Sequence, residues 1–273
     1  MFYNAKNGCL NIDDTTMYYL SFGKGTKNLI MIPGLGDGLK TAKGMAIPFS
    51  IMYKRFAKDY RVHVFSRKNE LKQGYTTKDM AADLKNAMEL LGIEKADIVG
   101  VSQGGMIAQH FAVDYPEKVG KLVLVVTASR PNECIENTIN EWIEMAKRDD
   151  YRELMLDNIK KMYTDEYIAK NKRMLSFAGK FGKPSSFERF IIMAEACISH
   201  DCFESLHLIE APTLVIGGEK DAIVTAQASR DIAAEIKGSR LLMYENYGHS
   251  LYEEAKDFNE VVKLFLMNTP QGL

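Results

Sequence analysis

The chain has 273 residues, enough for one large domain or a domain carrying an insertion, and its 35 basic and 36 acidic side chains leave a net charge of −1. That balance argues against a nucleic-acid, membrane-surface or polyanion partner. The opening MFYNAKNGCL lacks a basic region followed by an apolar one, no apolar run approaches the roughly 20 residues of a membrane span, and the four cysteines show no C-x-x-C spacing. The expectation is a cytoplasmic protein with free thiols, no secretory signal and no membrane segment.

Tyr3 to Leu10 and Thr15 to Phe22 alternate in polarity and predict an antiparallel hairpin at a sheet edge. Asn28 to Ile32 is short and almost wholly apolar, as a strand buried on both faces should be. It runs into the glycine-rich loop Pro33-Gly34-Leu35-Gly36-Asp37-Gly38. A helix over Phe49 to Lys58, a strand over Arg61 to Phe65 and a helix over Thr77 to Leu91 follow. Met80, Leu84, Ala87, Met88 and Leu91 share one stripe of the second helix, and Gly92 stops it. The strand Ala96 to Val99, the turn Gly100 to Gly105, the helix Gln103 to Tyr115 and the strand Leu122 to Val126 complete an alternation that predicts a parallel sheet covered by helices.

From residue 129 to 207 no strand run is convincing. Helices are expected over Ile135 to Lys147, Tyr151 to Met162, Asp165 to Ser176 and Phe187 to Ser199, the last opened by a Ser185/Glu188 capping box. Residues 129–207 therefore read as a helical cap inserted between core segments 1–128 and 208–273. Its apolar residues, Trp142, Met155, Met162, Phe177, Phe181 and Phe187 among them, mostly serve to pack the cap helices. Phe177 to Gly182 could form a flexible lid, because its glycines relax the backbone. The core rhythm resumes with a strand Pro212 to Ile216, a helix Ala226 to Ile236, a strand Ser239 to Tyr244 and a closing helix Ser250 to Asn268, with Ser250 and Glu253 spaced as a second capping box.

Gly100-Val101-Ser102-Gln103-Gly104 is a G-x-S-x-G turn between a strand and a helix. Such a turn lifts a serine hydroxyl out of the backbone and faces it with the free N–H groups of a helix start. A serine needs a base in reach, and the base needs an orienting partner. Of the five histidines, His249 stands in the loop before the closing helix, at the sheet edge that carries Ser102. Asp221 follows the strand Leu214 to Ile216 at the same edge, with Glu219 its nearest rival. The order Ser102, Asp221, His249 is the Ser…Asp…His order of this architecture. The N–H groups of Gln103 and Leu35 are the expected oxyanion donors, each worth roughly 3–4 kcal/mol of barrier. His63 and His110 read as structural. His200, Glu204 and His207 could be drawn as a metal site, but no third strong ligand converges, and an exposed polar segment accounts for them.

With these residues in place the chain resembles the α/β-hydrolase superfamily with a helical cap. The matching stretches are Pro33 to Gly36, Gly100 to Gln109, Pro212 to Asp221 and Gly248-His249. The resemblance implies a mostly parallel eight-stranded sheet with helices on both faces. It also implies a serine hydrolase similar to small esterases and enol-lactonases, acting on a small-molecule ester or lactone through an acyl-enzyme on Ser102, without cofactor or metal. C–C bond hydrolysis or perhydrolysis by the same triad, and a non-catalytic ligand receptor on this fold, are the alternatives. The chain departs from the family pattern in two loops. Pro33-Gly34 stands where His-Gly is usual, and Ser66-Arg67-Lys68-Asn69-Glu70 replaces Asp-x-Arg-Gly-x-Gly. A serine nucleophile argues against dehalogenase and epoxide-hydrolase chemistry, which use aspartate.

Overall fold

The computed structural model describes residues 3–175, 177 and 179–268. Ser176 and Ala178, in the expected third cap helix and lid, lie outside them. Strands are β1 Lys6–Ile12, β2 Thr15–Phe22, β3 Lys27–Ile32, β4 Tyr60–Lys68, β5 Ala96–Val101, β6 Val119–Val125, β7 Thr213–Gly218 and β8 Arg240–Tyr244. Helices are α1 Ala46–Met52, α2 Thr77–Leu90, α3 Gln103–Asp114, α4 Glu133–Lys147, α5 Tyr151–Met162, α6 Asp165–Lys170, α7 Lys172–Leu175, α8 Glu188–Ile198, α9 Ala226–Glu235, α10 Leu251–Glu254 and α11 Phe258–Met267.

The strands form one eight-stranded sheet in the order β1-β2-β4-β3-β5-β6-β7-β8. β1 and β2 pair antiparallel at its edge, and every pairing from β4 to β8 is parallel. Alternate side chains of the central strands feed two cores. Ile30, Ile32, Ile98, Leu122 and Leu124 pack with α2, α3 and the α4–α8 segment on one face. Leu29, Met31, Val99, Val123 and Val125 pack with α11 on the other. This two-sided burial explains why these strands are apolar runs and not alternating ones.

Several boundaries differ from expectation for local reasons. α1 begins at Ala46, three residues early, because Pro48 falls in the first turn, where its missing N–H costs nothing. The hairpin turns on Asp13 and Asp14, with Asp13 at φ 52°. Neither expected capping box forms. Phe187 is the N-cap of α8, and Ser186 Oγ instead accepts from the Glu188 N–H at 3.1 Å. The closing helix breaks at Ala255, whose ψ of 116° is extended. The Glu253 N–H donates to the Ser250 carbonyl at 2.9 Å and not to Ser250 Oγ, and the Glu253 side chain accepts from Tyr163 instead of reaching back. The capping box that does form joins Thr76 and Asp79 at the start of α2.

Of the apolar residues expected in the cap, Phe187 and Met193 are buried, whereas Phe177 and Phe181 are exposed. Among the described residues no helix is long and apolar enough to cross a membrane. The four cysteines are unpaired thiols.

Candidate active site

Ser102 sits between β5 and α3 with φ 53° and ψ −121°, a backbone conformation that L-residues rarely adopt. The glycines around it are there for space. A Cβ on Gly100 would come within 2.5 Å of the Gly104 carbonyl oxygen, and one on Gly104 would overlap the Ile32 carbonyl. The bend is held from the neighbouring strand. Ser102 N–H donates to Val125 O at 2.9 Å, and Thr127 Oγ1 donates to Ser102 O at 2.7 Å.

Asp221 and His249 follow β7 and β8. His249 Nε2 lies 3.0 Å from Ser102 Oγ, and its Nδ1 lies 2.9 and 3.1 Å from the two Asp221 oxygens. Asp221 Oδ1 also accepts from the N–H groups of Ile223 and Val224 at 2.9 and 3.0 Å. Burial acts to raise the Asp221 carboxyl, but the adjoining His249 charge and these hydrogen bonds outweigh it and hold the group below the usual carboxylate range. The histidine is only 3% exposed, so it is packed in place and not hydrated as its loop position suggests. Gly218 and Gly248 allow this packing. A Cβ on Gly218 would meet the Tyr247 carbonyl oxygen at 2.5 Å, and Ser250 N–H donates to Met162 O of α5 at 2.9 Å. Glu219, the rival acid, pairs with Arg230 instead.

Leu35 opens a short 3-10 helix, Leu35–Gly38, beside Ser102, and a Cβ on Gly34 would lie 3.3 Å from Ser102 Cβ. Leu35 and Gln103 are both first residues of a helix, where an N–H has no intrahelical acceptor. The structure thus brings Ser102, Asp221 and His249 into one hydrogen-bonded chain and sets the Leu35 loop against it.

A buried network behind the loop escaped sequence reasoning. Asp37 Oδ2 accepts from Arg67 N–H at 2.9 Å and from Arg189 Nη2 of α8 at 2.6 Å. Arg189 also donates to the carbonyls of Lys68, Arg67 and Asp37. Arg67 Nη2 donates to the Pro33 carbonyl and, at 3.3 Å, to Gln103 Oε1. Gln103 Nε2 in turn donates to Met193 O at 2.5 Å. Burial pushes the Arg67 guanidinium down to about 10, so it stays protonated at neutral pH. Gln103 is therefore tied both to β4 and to α8. Arg67, in the stretch that departs from the family pattern, supplies the β4 half of that tie. No local pattern signals it, since its members come from four distant segments.

The other histidines take no part in the triad. His200 is buried, not exposed as its segment suggested. Its Nδ1 is 2.9 Å from Thr77 Oγ1, and its ring lies edge-on to His110 at 5.0 Å. Among the described residues no cluster of three or more His, Cys, Asp or Glu could hold a metal.

Ser102 and His249 open into a cavity of about 480 Å³. Trp142 of α4, Met155 and Met162 of α5 and Tyr163 line it, together with Tyr53, Tyr252 and Glu253. A second hollow of about 460 Å³, between Asn132 and Asp231, contains none of the triad.

Comparison with known proteins agrees with this architecture. The chain is 28% identical over 269 residues to the 2-hydroxy-6-oxononadienedioate/2-hydroxy-6-oxononatrienedioate hydrolase 2 of Pseudomonas putida, covering 93% of each protein. It is 29% identical over 196 residues to the 2-hydroxy-6-oxo-6-phenylhexa-2,4-dienoate hydrolase of Burkholderia cepacia, covering 69% of this chain and 68% of that one. The crystal structure of the enol-lactonase from Burkholderia xenovorans LB400 superposes with a TM-score of 0.82 at 21% identity, over 96% of this chain and 100% of that one. An alpha/beta hydrolase enzyme from a Medee basin deep-sea metagenome library gives 0.86 at 22% identity, over 97% and 99%. A family model described as alpha/beta hydrolase fold matches residues 27–256. The chain belongs to the α/β-hydrolase fold family.

Proposed function

We propose that the protein is a serine hydrolase of small carboxylic esters or lactones. The observation that carries this reading is the unbroken chain from Ser102 Oγ through His249 to Asp221, at 3.0 and 2.9 Å, opening into a mostly apolar cavity. Ser102 Oγ attacks the substrate carbonyl while His249 Nε2 takes its proton. The oxyanion is held by the N–H groups of Gln103 and Leu35. His249 returns the proton to the leaving alcohol, then activates the water that releases the acyl group. Asp221 fixes the histidine tautomer and stabilises the imidazolium. The substrate is a small molecule enclosed between the core and residues 129–207, which act as a cap.

A second reading is hydrolysis of a C–C bond beside a ketone, favoured by the names of the relatives, whose substrates are keto acids. Two of the named substrates are dioates, with two carboxylates to be met. The cavity supports that chemistry poorly. Neither Arg67 nor Arg189 lines the cavity; Arg189 is taken up by Asp37 and backbone carbonyls, and Arg67 Nη2 by the Pro33 carbonyl and Gln103 Oε1. Lys40, which also lines the cavity, is exposed. A neutral carbonyl compound fits better.

The test is turnover of p-nitrophenyl butyrate by wild type and Ser102→Ala, beside labelling by a fluorophosphonate probe. Wild type should turn over and label at Ser102, and the variant should lose at least about 10³-fold in kcat. Unchanged turnover in the variant, or labelling elsewhere, would overturn the reading.

A further inference from the structure

A second hollow, of about 40 Å³, adjoins the cavity that holds Ser102 and His249, and the two share Pro33, Phe49, Tyr53, Val64 and Val101 in their walls. Its far end is closed by Phe56, Val99, Phe258 and Val262, each no more than 5% exposed. It therefore lies between the sheet, α1 and α11, against Val101, the residue that precedes Ser102. Apart from Tyr53 and Asn259 its wall is apolar. Close-packed interiors keep few voids of this kind, because the atoms around one forfeit contacts. Nothing in the triad requires it. A ligand entering from the larger cavity would restore those contacts. At roughly 10–15 Å³ for one water-sized sphere, the hollow takes roughly the last two or three carbons of a chain, and not a ring. The way in passes α1, where of seven residues only Ala46 and Ser50 are buried. The Phe49 and Tyr53 rings, 5.8 Å apart between centroids, stand in that passage. The Tyr53 hydroxyl makes no hydrogen bond among the described residues, so packing alone holds the ring and a chain can displace it. The leaving alcohol of an ester must face His249, which returns its proton, and His249 is not in the wall of the hollow, whereas Pro33 and Val101 are. The group that reaches the hollow is therefore the one left on Ser102, the acyl chain.

We propose that the protein selects esters of straight-chain aliphatic acids, whose chain ends pass Phe49 and Tyr53 and lodge between Val99, Phe258 and Val262. The proposal rests on the hydrolase reading for which part of the substrate is the acyl chain, but binding of the chain is read without turnover. The larger cavity does not select a straight chain by itself, since Lys40, Asn158 and Glu253 also line its wall.

Trp142 is the chain's single tryptophan and lines the larger cavity, so its fluorescence reports occupancy. Ser102→Ala protein is titrated with 2-hexanone and 2-decanone, neutral ketones that each present a carbonyl and one straight chain. Each buried CH₂ adds about four-fold in affinity, so the longer ketone should bind about 50-fold more tightly or better. Adding Val262→Phe, which fills the hollow, should cut that ratio by about five-fold or more, and adding Val262→Ala, which deepens it, should raise the ratio. If the Val262→Phe protein does not fold, the Val262→Ala comparison decides alone. A ratio below about ten before either addition, a ratio that neither Val262 variant moves, or one that falls in both through disturbed packing would overturn the proposal. Absence of p-nitrophenyl butyrate turnover in the wild type would overturn the hydrolase reading instead, and leaves this comparison of affinities intact.

Discussion

Ser102 holds a backbone conformation that costs of order 1–3 kcal/mol for a residue with a Cβ. The bonds from Val125, Thr127, Gly105 and Met106 hold it there. Ser102→Gly should raise stability by about 1 kcal/mol, or roughly 2–4 °C in Tm for a chain of this size, while activity is lost. Ser102→Ala, which keeps a Cβ, should lose activity with no such gain. Equal melting temperatures for the two variants would show that the turn is not strained. That strain was legible in the sequence, because Gly100, Gly104 and Gly105 flank a serine where a strand meets a helix. The Asp37–Arg67–Arg189 network was not, because charged residues far apart in the chain look like solvated surface until the fold joins them. Arg67 is only 3% exposed and holds the Pro33 carbonyl and Gln103 Oε1. Arg67→Met removes both bonds, so the N–H groups of Leu35 and Gln103, the proposed oxyanion donors, lose their registration. The expected result is a fall in kcat of about 10- to 100-fold with little change in KM. A rise in KM at constant kcat would assign Arg67 to substrate binding instead.

The elements that were read correctly are those whose local pattern and tertiary environment agree. β3, β5, β6 and β7 are apolar because both faces are covered. α2 carries a clean stripe and ends at Gly92, which takes φ 65°. The failures lie where a side chain had a better partner elsewhere. Glu253 suited a capping box by spacing but turned to Tyr163, and the closing helix split into α10 and α11. The fit of α3 against the end of β3 rests on Gly104, since any Cβ there overlaps the Ile32 carbonyl, which is backbone and has little room to yield. Gly104→Ala should cost about 3 kcal/mol in urea unfolding. Gly36, in the loop beside Ser102, has nothing within 4 Å of a built Cβ. Gly36→Ala should stay within roughly 0.5 kcal/mol of wild type. Comparable losses in the two variants would mean that the turn adapts and the close approach is not what requires glycine.

At the scale of the whole molecule, the buried histidines set how stability responds to mild acid. Burial, with the Arg61 charge adding to it, pushes His63 down to about 4, and burial, with His110 adding, pushes His200 down to about 3. Burial also lowers His110. In the unfolded chain each takes a proton near pH 6.5. Between pH 6.5 and about 4 the unfolded state therefore binds more protons than the folded one, and stability falls as pH falls. Asp83 and Asp97, whose carboxyls burial raises, work in the opposite sense, giving stability back as pH falls through their raised folded values towards their unfolded value near 4. Asp221 is held below the ordinary range, so its contribution is lost only as pH drops below about 4. A comparison of pH 7.5 with pH 5.5 spans the titration of the unfolded histidines and lies above that of Asp221. Each of the two buried rings, His63 and His200, should withdraw about 1 kcal/mol over that interval, and the loss they set should be near 2 kcal/mol by urea unfolding. The double variant His63→Gln, His200→Gln has a lower stability at both pH values, since His63 and His200 bond Asn28 and Thr77. Its decisive property is the slope, which should shrink to less than half that of wild type. A slope unchanged by removing both rings would show that these two histidines do not set the acid sensitivity.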